Sequence, residues 1–120
     1  MKGNFIMGHF ASNYKHGRTF NVNSDDFEFI DLKKYIEMKG HTTITVNGVF
    51  HYKAKYGERP VLIGDNYKIN LPDHCMKDVS DILDDDEAIR LINEGHCGFV
   101  TSEYQDKNGN TRYSGSFIDI

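Results

Sequence analysis

The chain has no tryptophan, two prolines, two cysteines, and no apolar run near the ~20 residues of a membrane span. Each shortage narrows the field. Cys75 and Cys97 are too few for a disulfide framework, which favours a cytoplasmic protein. The opening Met1-Lys2-Gly3-Asn4-Phe5 lacks the apolar core of a secretory signal. Positive charge is scarce too: 14 Lys and Arg face 18 Asp and Glu, a net charge of −4. That balance argues against a protein that coats nucleic acid with a uniformly basic surface.

Chemical signatures are equally sparse. His74-Cys75 and His96-Cys97 duplicate a pair of ligand types, but adjacent residues diverge by about 100° on a helix. Zinc sites use ligands two to four positions apart, so no metal is expected. Asp84-Asp85-Asp86-Glu87 lacks the alternation and central Gly of a calcium loop and is better explained as helix capping. Ser114-Gly115-Ser116 is not a nucleophile elbow, and no Gly-rich loop opens a helix. No catalytic residue or cofactor is expected, and nothing supports an enzyme.

What the sequence does hold is a repeated arrangement: Tyr, then Lys-x-Gly, then Arg. It occurs at Tyr14-Lys15-His16-Gly17-Arg18, across Tyr52-Lys53-Ala54-Lys55-Tyr56-Gly57-Glu58-Arg59, and from Tyr104 through Lys107-Asn108-Gly109 to Arg112. Each copy lies between runs with strand character, and Gly supplies the backbone freedom of a tight connection. These stretches carry seven of the 14 basic residues, while Asp73 to Glu87 carries seven of the 18 acids. Charge is therefore segregated along the chain. Rings interleaved with cations can stack bases and neutralise phosphates, as single-stranded nucleic acid requires.

Length suits one domain, residues 1–120. Phe5–Asn13 and Arg18–Asn23 read as a first pair of strands. Phe27–Leu32 fits either a strand or a helix start, and Leu32–Lys39 reads as a short helix stopped by Gly40. Thr42–Lys53 is the clearest strand, interrupted at Asn47-Gly48. Pro60–Ile63 and Tyr67–Leu71 return around Gly64-Asp65-Asn66, with Pro60 suited to an edge or a strand start.

Pro72 then opens a helix whose Cys75, Met76, Val79, Ile82 and Leu83 form an apolar stripe. A second helix runs from the acidic start to Gly95, and Cys97–Tyr104 with Tyr113–Ile120 close a final hairpin. No βαβ pattern is present. The expected fold is mainly β with short helices: a small antiparallel OB-like barrel, or a curled sheet, plugged by a helical pair.

Lys55-Tyr56-Gly57-Glu58-Arg59-Pro60-Val61, Asn70-Leu71-Pro72, and Glu103-Tyr104 with Lys107, Gly109, Tyr113, Phe117 and Asp119 carry a resemblance. Over residues 42–120 the chain resembles the small single-stranded DNA-binding proteins of bacteriophages. The resemblance implies an OB-fold subunit, a homo-oligomer, that coats single strands during phage replication or recombination in the host cell. Many bacterial proteins of this function end in an acidic recruiting tail. Here Ser116-Phe117-Ile118-Asp119-Ile120 reads as a strand, so recruitment of a host or phage replication protein through a tail is not expected.

The expected nucleic-acid-binding residues are Tyr52, Lys53, Lys55, Tyr56, Arg59, Tyr104, Lys107, Arg112 and Tyr113, with Tyr14 and Lys15 as contributors. The alternative is a phage inhibitor or adaptor that grips a host protein through the helix face bearing Asp78, Asp81 and Asp85.

Overall fold

A computed structural model describes residues 19–55 and 57–120. Tyr14, Lys15, Arg18 and Tyr56 lie outside those residues, as does the strand expected at Phe5–Asn13. Thr19–Asn23, expected as a strand, is irregular instead. Its backbone bonds go to a side chain: Asn93 Oδ1 accepts from Asn21 N–H at 2.9 Å, and Asn93 Nδ2 donates to Thr19 O at 3.1 Å.

The ambiguous stretch resolves into both of its alternatives in turn. Strand β1, Glu28–Asp31, runs directly into helix α1, Leu32–Lys39. Asp31 stands at the helix start without capping it, because its carboxylate accepts from Asn70 Nδ2 at 3.0 Å. Gly40 stops the helix as expected, its N–H donating to Ile36 O at 2.7 Å.

The long strand is split into β2, Ile44–Thr45, and β3, Gly48–Ala54. At the break the chain changes partner. Val46 N–H donates to Cys97 O at 2.9 Å, and Asn47 N–H donates to Ile63 O at 2.8 Å. Strands β4, Gly57–Ile63, and β5, Tyr67–Asn70, follow as the turn signal predicts. Pro60 sits within β4, not at an edge or a strand start: it lies opposite His51 of β3, and its carbonyl accepts from Leu71 N–H at 2.9 Å where the β5 ladder ends.

A single 3-10 turn, Asp73–Cys75, leads into α2, Met76–Leu83, and then α3, Asp86–Asn93. Strands β6, Cys97–Gln105, and β7, Thr111–Asp119, complete the chain.

The first sheet has the order β1-β5-β4-β3 and the second β2-β6-β7. All neighbours are antiparallel except β1 and β5, which run parallel. That parallel pair departs from the expected antiparallel arrangement, and it governs closure. It leaves β1 and β7 as outer strands of the two sheets, with no ladder between them among the described residues. The fold is therefore the curled-sheet form of the OB-like expectation, mainly β, with the bent β2–β3 segment joining two sheets. No helix among the described residues is long and apolar enough to cross a membrane.

The helical pair plugs the curl. Val46, Val49, Leu62, Ile69, Cys75, Val79 and Phe99 are each at most 1% exposed and belong to one cluster. Each such aliphatic side chain contributes roughly 1.5–3 kcal/mol on burial. Burial also pushes the Cys75 thiol up to about 11, with Asp78 adding to the shift. The acidic run serves as helix start: Asp85 Oδ1 accepts from Glu87 N–H at 3.0 Å and from Ala88 N–H at 3.3 Å.

Candidate nucleic-acid interface

The repeat seen in the sequence becomes a pairing in space. In the β3–β4 hairpin Tyr52 lies directly opposite Arg59, and in the β6–β7 hairpin Tyr104 lies directly opposite Arg112. Directly opposed residues share a face, so each hairpin presents one ring beside one guanidinium. Tyr52 is 43% exposed and Tyr104 is 49% exposed. Both rings are available for stacking.

The same alternation sets two expected residues on the other faces of their hairpins. Lys53 falls on the opposite face of β3 from Tyr52, across from Glu58. Tyr113 pairs with Glu103 on the other side of its hairpin and is half-buried against the core. Lys55 occupies the β3–β4 turn and Lys107 the exposed tip of the β6–β7 hairpin. That tip is built by Asp106. Its Oδ1 accepts from the N–H groups of Asn108 and Asn110, each at 2.9 Å, and its Oδ2 accepts from Arg112 Nε at 2.9 Å. The Asn110 amide first, and then Arg112, holds the Asp106 carboxyl below the usual carboxylate range. Gly109 completes the turn at φ 82°, a conformation that costs other residues energy.

Tyr52 does not stand alone. Period-two alternation and the cross-strand register put Phe29, Phe50, Tyr52, Arg59, Lys68 and Asn70 on one face of the first sheet, together with the buried Val61 and Ile63. Phe29 and Tyr52 have ring centroids 5.0 Å apart, and Phe29 meets Phe50 edge-on at 6.4 Å. Lys68 Nζ sits 4.6 Å from the Phe29 ring centre, worth about 0.5–1 kcal/mol at an exposed site. Phe29, Phe50 and Lys68 were missed in the sequence. Alternation through Tyr67-Lys68-Ile69-Asn70 already aims Lys68 outward, whereas Phe29 lay in the stretch readable as helix or strand.

This face ends at a cleft of about 520 Å³, lined by Asp31, Leu32, Lys33, Arg59, Asn70, Leu71, Pro72, Tyr104, Thr111, Arg112 and Tyr113. The cleft lies where β1 and the start of α1 confront the β6–β7 arm. Both Tyr–Arg hairpins therefore reach it, one through Arg59 and the other through Tyr104 and Arg112. No family model, curated protein or solved structure matches this chain.

Two other clusters bear on chemistry. His51 Nε2 meets Ser80 Oγ at 3.2 Å, and His51 Nδ1 lies 3.5 Å from Glu58. The order imitates nucleophile, base and orienting acid. Ser80, however, sits within α2, where backbone N–H groups are spent on the helix ladder and offer no oxyanion donors. The trio ties α2 to β3. Among the described residues, no three His, Cys, Asp or Glu side chains converge as a metal site.

Proposed function

We infer that this protein binds single-stranded DNA with little sequence preference, along the Tyr52 face of the first sheet and across both hairpins. One observation carries this: two hairpins distant in sequence each set a Tyr beside an Arg, and both border one cleft. Phe29, Phe50 and Tyr52 offer faces to bases, which every base can use. Arg59, Lys68, Arg112 and Lys107 offer charge to phosphates. In OB-folds the middle strands and the loops joining strands one to two and four to five bind oligonucleotides. On the OB-like reading, strands β4 and β5, the Lys55 turn and the Asp106–Asn110 tip would take those positions. The setting implied by the sequence resemblance, phage replication or recombination by a homo-oligomer, belongs to the same proposal.

The acidic-face alternative draws less support from the geometry. Asp81 is paired with Lys77 at 2.7 Å, and Asp85 is committed to capping α3. Titration of labelled oligo-dT at two salt concentrations tests the proposal. Binding tighter than about 10 μM at low salt, weakening as salt rises, is the expected result. Arg59→Gln should lower the salt slope by about one. Absence of binding at low salt would refute it.

A further inference from the structure

The far end of β7 carries a second concave surface, away from the Tyr–Arg hairpin tips. It is a groove of about 190 Å³ between α3 and the second sheet. Ala88, Leu91 and Ile92 come from α3, Ile82 from α2, and Cys97 and Phe117 from the sheet. All but Ile92 are only half-buried, so the groove is apolar and open to solvent. Sites for drug-sized ligands run from about 300 Å³ upward. Too small for those, the groove suits a single large apolar side chain, the usual anchor of a protein contact.

The rim is acidic. Asp119 lines the groove, Asp84-Asp85-Asp86-Glu87 connects Ile82 to Ala88, and Glu94 lies between Ile92 and His96. Against these six carboxylates stands one guanidinium, that of Arg90, which pairs with Glu94 at 2.8 Å and with Glu87. Capping of α3 engages Asp85 alone of the acidic run. The positive end of that helix offsets only about half a charge. No described cation pairs with Asp84, Asp86 or Asp119. Protonation of His96, which also lines the groove, would offset one charge more. The groove stays negative after every one of these is counted. Such a surface repels a nucleic-acid strand and attracts a cationic partner.

The groove and the β6–β7 tip lie at opposite ends of β7, eight residues or roughly 26 Å apart. Both can therefore be occupied at once.

We propose that this groove docks a short basic segment of a partner protein. One large apolar side chain of that segment sits between α3 and β7, and its Lys or Arg side chains meet the acidic rim. The surface is separate from the α2 face of Asp78 and Asp81, and the inference stands whether or not the hairpins bind DNA.

Fluorescence anisotropy on the full chain tests it with short labelled peptides rich in Lys and Arg, each carrying one central Leu, Ile, Phe or Met. At least one should bind in the micromolar range at low salt, about tenfold or more tighter than the same peptide with Ser as its central residue. Binding should weaken as salt rises. Ala88→Phe, which fills the groove with its own ring, should abolish the advantage of the apolar anchor. The exposed double reversal Asp84→Lys, Asp86→Lys leaves the core untouched and should weaken anchored and Ser peptides alike.

Equal binding of anchored and Ser peptides would overturn the groove, leaving only diffuse attraction to acids. Absence of binding by every anchored peptide at low salt would overturn it as well. So would a dimer in sedimentation that Ala88→Phe dissolves, by making the groove a contact between copies of this chain.

Discussion

Asp106 is a residue whose carboxylate does three things at once, fixing two turn amides and one guanidinium. Its folded pKa is depressed, so its contribution is complete above its unfolded value of about 3.9 and is lost as pH falls through the lower folded value. The hairpin tip should therefore stay ordered from pH 5 to 8, a window set by that direction, and loosen in stronger acid. Amide exchange at Asn108 and Asn110 reports this directly. Asp106→Ala should speed exchange at both amides at neutral pH, because their acceptor is gone. It should also free Arg112 from its fixed geometry. Unchanged exchange in that variant would show that the turn is held by Gly109 and its backbone bonds alone. Lys53 carries the opposite lesson at this scale. It was legible as a cation near a hairpin tip, but one step of alternation puts it beside Glu58 and away from Tyr52.

At the scale of elements, the β6–β7 hairpin depends on an absent side chain. A Cβ at Gly115 would overlap the Phe99 ring and the Val100 carbonyl oxygen. Phe99 is fully buried and packs edge-on to Phe117 at 4.9 Å, so neither ring can yield cheaply. Gly115→Ala should cost about 1–3 kcal/mol or more in thermal or urea unfolding. Asp85→Ala should cost about 1 kcal/mol through loss of the α3 cap, and Asp85→Asn should recover most of it. All three helices and both hairpins were legible because their signals are local: a Gly stop, an apolar stripe, an acidic start, Asn108-Gly109 at a tip. Strand β1 was legible only as one of two alternatives, because its four residues are defined by pairing with β5, nearly forty positions away. Thr19–Asn23 failed for a related reason. Its alternation is real, but the Asn93 side chain supplies its partners.

At the scale of the molecule, the open curl is what no local signal could announce. β5 takes β1 as its parallel neighbour, a pairing between segments nearly forty positions apart, and β1 and β7 lie at the outer edges of the two sheets. The outcome leaves the cleft between the two Tyr–Arg hairpins, so the topology assembles what the repeat had scattered. A consequence follows for binding. If one strand lies across both hairpins, Tyr52 and Tyr104 contribute independently to its affinity. Each Ala substitution should then weaken a long oligonucleotide by roughly five- to 150-fold, the cost of about 1–3 kcal/mol per stacked base. In the Tyr52→Ala, Tyr104→Ala double variant the two costs should add to within about 0.5 kcal/mol, as for separated sites without shared partners. A double variant no worse than the weaker single would mean that they never share a strand.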